Sequence, residues 1–159
     1  MKKLKILVID SSPIIYIGLK SVFKNSNLFD VTTFIDIKNN IIDVLNEFEI
    51  DIIISEINLK DSSVYDILKV LRKNKIEIPV VIFTSENNES KSVKILKSGA
   101  SGFMTKNLKK KNIRKIIKDF QFSKNGTSEL NKFTRPITRF NFDYNNEKIN
   151  SLTKRKIKI

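Results

Sequence analysis

Residues 50–57 read Ile-Asp-Ile-Ile-Ile-Ser-Glu-Ile. The run is too short for a buried helix and is built from the β-branched side chain that strands favour. Consecutive apolar positions point to opposite faces of a sheet, so both faces must be covered, as in a parallel sheet with helices on each side. Glu56 stands where this strand ends, which puts a carboxylate at the carboxyl edge of the sheet.

Working outward, the same unit recurs on either side. Lys5–Asp10 (KILVID) is a second short apolar run ending in an acid. Ser12 and Pro13 follow as an N-cap and a first helical residue, and Ile14, Ile15, Leu19, Val22 and Phe23 continue at helical spacing to about Lys24. Asp30–Phe34 reads as a strand, and Ile41, Ile42, Leu45 and Phe48 place a helix over 38–48. Val64–Asn74 is an amphipathic helix, Pro79–Thr84 a strand, and Ser90–Lys97 a helix stopped by Gly99. Ser101–Thr105 is a short strand, and Leu108–Phe122 a helix with Ile113, Ile116, Ile117 and Phe120 inside and lysines outside.

Five strands alternating with five helices predict a three-layer α/β domain with a doubly wound, parallel, five-stranded sheet. In such sheets, ligands and charges gather at the carboxyl ends of the strands. Asp10, Glu56, Thr84 and Lys106 each close a separate predicted strand, so they are expected to be neighbours.

Composition narrows the chemistry. The 159 residues include no cysteine and no histidine, which removes disulfides, thiolate metal sites and the commonest general base. No signal-peptide pattern and no run of about 20 apolar residues is present, so the expectation is a cytoplasmic chain without a membrane span. The net charge of +13 is unevenly placed. Residues 1–86 hold 11 Lys/Arg against 12 Asp/Glu, a net of −1, and residues 87–159 hold 19 against 5, a net of +14. A basic half points to a polyanion. The excess of 25 Lys over 5 Arg, with 17 Asn and 26 Ile, also fits an AT-rich coding bias that adds lysines without function.

Four segments carry a family resemblance. ILVIDSSPIIYIGLKSVF (6–23), DIIISEINL (51–59), VVIFTS (80–85) and LKSGASGFMTKN (96–107) fall in the order and spacing of a response-regulator receiver domain, the phosphorylated module of bacterial two-component systems. Pro13 with Gly18, and the GASGF run, resemble the subfamily that carries a LuxR-type helix-turn-helix. The resemblance covers residues 4–122 and implies a flavodoxin-like topology, a regulatory role and no catalytic activity.

Carried over by position, the resemblance implies a degenerate site. Asp10 holds the first acidic position, and Ser11 stands at the second, where the family has a magnesium-ligating acid. Glu56 occupies the phosphoacceptor position in place of aspartate, and Asn58 the position whose carbonyl contacts the metal. Thr84 corresponds to the hydroxyl that reads the phosphoryl group, Lys106 to the lysine that pairs with it, and Phe103 to the aromatic switch. The stretch Leu59–Val64 lacks the proline and glycine usual there. With Asp10 and Glu56 against one lysine and only a neutral hydroxyl at Ser11, the set is poor for a hard divalent cation, so magnesium is expected to bind weakly or not at all. The glutamate places its carboxylate one methylene further out, by about 1.5 Å. A misplacement of about 1 Å can cost on the order of 100-fold in transfer. Phosphorylation is therefore expected to fail, and a Glu56–Lys106 pair is expected to stand in for metal and phosphoryl group and hold one fixed state. On simple drift, the same residues are a satisfied charge cluster without a role.

Residues 123–150 read as a polar, Asn-rich linker. Ser151–Ile159 (SLTKRKIKI) resembles the opening of a LuxR-type DNA-binding domain, with Lys156 and Lys158 where glutamates are usual. The expected organisation is thus a receiver over 1–122, a linker over 123–150 and a truncated helix-turn-helix start over 151–159. DNA contact would come only through that C-terminal domain, because a helix-turn-helix needs a recognition helix that this sequence lacks. The second reading is a stand-alone receiver that meets a protein partner, or a second copy, through the lysine-rich face of residues 87–122. A flavin-binding enzyme of similar topology is disfavoured, because Asp10–Pro13 carries an acid and no glycine where a phosphate loop is required.

Overall fold

The computed structural model describes residues 2–35, 41–86, 88–125 and 141–142. The element order is β1 (Leu4–Ile9), α1 (Pro13–Phe23), β2 (Phe29–Ile35), α2 (Ile41–Glu47), β3 (Ile52–Ser55), β4 (Asn58–Leu59), β5 (Ser62–Ser63), α3 (Val64–Lys73), β6 (Val80–Thr84), α4 (Glu89–Lys97), β7 (Gly102–Thr105), α5 (Lys110–Asn125) and β8 (Asn141–Phe142). The main sheet runs β2-β1-β3-β6-β7-β8, and its pairings are all parallel. The five expected strands and five helices are present, and the doubly wound order is the expected one.

Two features were not anticipated. The stretch after Glu56 forms a tight antiparallel hairpin of β4 and β5, with Leu59 buried beneath it. Asn141–Phe142, within the segment read as a linker, lie beside Phe103 and Met104 at the free edge of β7. Ser123–Asn125, also read as linker, instead continue α5, because the helix runs on past Phe122. The rest of that segment, the helix start expected at 151–159 and the inward side chain expected of Phe120 lie outside the described residues. Among the described residues, no helix is long and apolar enough to cross a membrane.

The period-2 geometry of the strands divides the core into two slabs. Ile6, Val8, Ile52, Ile54, Val81, Phe83 and Met104 pack with Leu19, Val22 and Phe23 of α1 and with Ile113, Ile116 and Ile117 of α5. On the other face Leu7, Ile9, Ile53, Val80, Ile82 and Phe103 pack with residues of α2, α3 and α4. The consecutive isoleucines of β3 supply both slabs, which is why the strand reads as an unbroken apolar run.

The helix ends follow from local chemistry. Pro13 opens α1, and Ser12 caps it by backbone position only, with no side-chain bond to the first turn. Asp66 accepts from the Ser63 N–H at 3.0 Å and from the Ser62 and Ser63 hydroxyls at 3.1 Å each, which fastens the first turn of α3. After α4 the chain turns through Gly99 at φ 113°, a left-handed value open to glycine.

Because β1 lies between β2 and β3, the chain direction across the sheet reverses there. In sheets of this order the crevice is expected at the carboxyl ends of the strands flanking the reversal, here β1 and β3.

Candidate functional site: a lysine between two carboxylates

Asp10 directly follows β1, Glu56 follows β3, Thr84 ends β6 and Lys106 follows β7. Backbone bonds knit these strand ends together: Glu56 N–H donates to Ile9 O at 2.9 Å, and Lys106 N–H to Thr84 O at 2.8 Å. The predicted neighbours Asp10, Glu56 and Lys106 are in contact. Lys106 Nζ lies 2.8 Å from Asp10 Oδ2 and 2.7 Å from Glu56 Oε2. The side chains of Lys106, Asp10 and Glu56 are 17%, 5% and 15% exposed, so the triad is largely out of water.

The other carboxylate oxygens are also engaged. Asp10 Oδ1 accepts the Ser12 N–H at 2.8 Å, and Glu56 Oε1 accepts the Ile57 N–H at 2.6 Å. All four oxygens of the two acids therefore have a protein partner. This arrangement satisfies the rule that buried charges need both a counter-charge and hydrogen bonds. Burial pushes the Lys106 ammonium down. Hydrogen bonds from it to Asp10 and Glu56, with the charges of both acids, outweigh that effect and hold its pKa above the ordinary lysine value.

The remaining expected residues divide into two groups. Thr84 is buried at the pocket, and its hydroxyl accepts the Glu86 N–H at 3.2 Å. Ser11 is exposed at the rim. Phe103 is buried in the slab beneath α3 and α4 rather than in the pocket with Lys106. Asn58 is exposed on β4, and its side-chain amide donates to Glu86 Oε1 at 2.7 Å.

Glu86 has no part in the sequence reading. It joins three elements: Asn58 on β4, its own loop after β6, and Lys91 in α4, whose ammonium donates to Glu86 Oε2. The hydrogen bond from Lys91, with its charge and the Asn58 amide, holds the Glu86 carboxyl below its ordinary value against a weaker opposing effect of burial. Glu86 and Lys91 are five apart, which is not a helical pairing distance, and Asn58 is remote in sequence. No local spacing marks the group.

Comparison with known proteins agrees with this layout. Residues 6–118 match the response regulator receiver domain family. The nitrate/nitrite response regulator protein homolog of Haemophilus influenzae is 28% identical over 116 residues, covering 73% of this chain and 56% of that protein. This chain thus spans about half the length of that relative. Among solved structures, a two-component response regulator of the LuxR family from Aurantimonas superposes with a TM-score of 0.69 at 18% identity, covering 77% of this chain and 87% of the other. The chemotaxis protein CheY4 of Vibrio cholerae superposes with a TM-score of 0.65 at 19% identity, covering 74% and 98%. At those identities the two structures speak for the fold, and the family match over 6–118 speaks for descent. With its parallel sheet, its strand-end pocket and that match together, the chain belongs to the response regulator receiver family of two-component signalling.

Proposed function

We propose that the chain is the regulatory receiver of a response regulator that works without phosphorylation, controls transcription through a C-terminal DNA-binding domain and catalyses no reaction of its own. The observation that carries this reading is the double contact of Lys106, 2.7 Å from Glu56 and 2.8 Å from Asp10. The lysine that the family resemblance assigns to the phosphoryl group is taken up by the acceptor-position carboxylate itself. Magnesium does not fit the donor set as it stands. A hard cation needs several oxygen ligands, the four carboxylate oxygens already have partners, and Ser11 offers only a neutral hydroxyl. Glu56, Lys106 and Asp10 then act as a fixed contact, with Thr84 and Phe103 at the positions that would relay a change of state. The transcriptional part rests on the LuxR-family neighbour and on the resemblance of Ser151–Arg155. A cytoplasmic location follows from the same reading.

The test is exposure of the protein to acetyl phosphate or beryllofluoride with magnesium, followed by intact-mass analysis and 19F NMR. The expected result is an unmodified chain. An adduct on Glu56 refutes the reading.

A second reading, a stand-alone receiver acting through a protein partner, is favoured by the basic surface of residues 87–122. There Lys91, Lys94, Lys97, Lys109 and Lys111 are exposed. The coding sequence downstream of Ile159 separates the two, because only the first requires an in-frame helix-turn-helix there.

A further inference from the structure

The two sides of the main sheet are built differently. β2 closes one side. It carries the exposed Asp30, and its register against β1 shifts so that Ile6 meets Val31 and Leu7 meets Thr33, with Thr32 passed over. A charge and a bulge are two of the devices that keep an edge strand from pairing with a foreign strand. β7, toward the other side, has neither. It reads Gly-Phe-Met-Thr and pairs with β6 in unbroken register from Val81–Gly102 to Thr84–Thr105. The Ser101 N–H donates inward, to Val80 O. Successive N–H groups of a strand point to alternate sides, so those of Gly102 and Met104 face away from β6.

That bare edge is filled by the chain itself. Asn141 and Phe142 pair in parallel with Phe103 and Met104. The sequence around them is Phe140-Asn141-Phe142-Asp143-Tyr144, in which apolar and polar residues alternate strictly within a mostly polar stretch. Period 2 is the signal of a half-buried strand. Local sequence and observed pairing therefore agree.

β8 is an addition to the winding rather than part of it. α4, which joins β6 to β7, packs on the face that carries Ile82 and Phe103, whereas α5, which follows β7, packs on the face that carries Phe83 and Met104. Passing outward from β7 to β8 by way of α5 has the opposite hand to passing from β6 to β7 by way of α4. Left-handed crossovers are rare, so the winding rule does not favour this strand. Two paired residues also supply few ladder bonds against the entropy of ordering the segment. The pairing is closely balanced and reversible.

We infer that Asn141–Phe142 form an intramolecular guard strand, in which the chain's own segment fills the edge of β7 and denies it to strands of other chains. An uncovered edge without charge or proline is a template for association. The guard acts through backbone pairing at Phe103 and Met104, and it rests on neither of the readings proposed above.

The experiment is amide hydrogen exchange and sedimentation velocity on the full 159-residue chain, comparing the parent with Asn141→Pro and Asn141→Val. Proline removes the N–H that the ladder uses, and valine keeps it while favouring a strand. The Met104 amide is expected to exchange about tenfold faster in Asn141→Pro than in the parent, and no faster in Asn141→Val. The Phe103 amide, which turns toward β6, should exchange alike in all three. Protection of Met104 in the parent should not depend on protein concentration, and Asn141→Pro should self-associate more strongly than the parent. Equal Met104 exchange in the parent and Asn141→Pro would overturn the inference. So would protection that grows with concentration, which would give the edge to a second copy. Unchanged self-association of Asn141→Pro would refute the guarding role.

Discussion

Glu56 Oε2 and Lys106 Nζ are 2.7 Å apart at the ends of β3 and β7, two strands separated in the sheet by β6. The contact spans that intervening strand. Lys106 completes the span by holding Asp10 as well, beyond β1. One ammonium thus bridges three strand ends in a pocket mostly shielded from water.

Removing that ammonium should be costly. Lys106→Met leaves two nearly buried carboxylates facing each other without a cation, and breaking a buried pair in this way costs about 3–5 kcal/mol. The urea midpoint should fall accordingly. Adding Asp10→Asn and Glu56→Gln to the same chain should recover most of the loss, because the uncompensated charges go with them. Equal stability of Lys106→Met and the parent would show that the triad is not held together as described.

The pH dependence has a definite sign. The folded-state pKa of Lys106 lies above the ordinary lysine value of 10.5, so the folded chain holds this proton more tightly than the unfolded chain does. The contribution is fully present below the unfolded pKa, including neutral pH, and is lost as pH rises through the folded pKa. Denaturant midpoints measured from pH 8 upward should show an alkaline fall beginning above about pH 10 that is missing in Lys106→Met. A fall of the same size in that variant would assign it to other lysines.

Restoring the missing carboxylate chemistry should restore the metal. Ser11→Asp with Glu56→Asp supplies a second acid at the rim and withdraws the acceptor-position carboxylate from Lys106 by about 1.5 Å. The double variant is expected to bind magnesium in a saturable calorimetric titration and to form a beryllofluoride adduct, and the parent to do neither. A parent titration as strong as the variant's would contradict the proposed fixed contact.

The turn after α4 offers an independent check on the backbone. Gly99 sits at φ 113°, and a Cβ there would lie 3.1 Å from an Arg72 guanidinium nitrogen. That guanidinium also donates to Ser98 O. Gly99→Ala should cost about 1–3 kcal/mol from the left-handed backbone alone. Tm should drop while the far-UV circular dichroism below the transition stays unchanged.

The strands, their order and the pocket were legible in the sequence for one reason. β1, β3, β6 and β7 are short apolar runs that end at or directly before a polar residue, so Asp10, Ser55, Thr84 and Thr105 mark the edge where Asp10, Glu56 and Lys106 gather. Strand boundaries were less legible: Ile50 and Ile57 continue the apolar pattern of β3 but lie outside it, because burial in a loop and burial in a strand select the same side chains. The β4–β5 hairpin was not legible, since Asn58–Ser63 has neither alternation nor a glycine turn. Nor was Glu86, whose partners lie at unrelated spacings in the chain and meet only through the tertiary fold. Ser12 was correctly placed as the N-cap of α1, but its carbonyl rather than its hydroxyl serves the first turn, accepting the Ile15 N–H at 3.1 Å, while its amide binds Asp10, and composition does not distinguish a hydroxyl that caps from one that does not.

The bridge through Glu86 has a mechanical meaning. Its two carboxylate oxygens hold opposite ends, Asn58 on the hairpin after β3 and Lys91 in the opening turns of α4, and its own N–H is fastened to the Thr84 hydroxyl. A shift of α4 away from the sheet must therefore break one of these links or carry the hairpin with it. Helix and hairpin thus share one carboxylate, so removing it with Glu86→Ala would free both contacts at once.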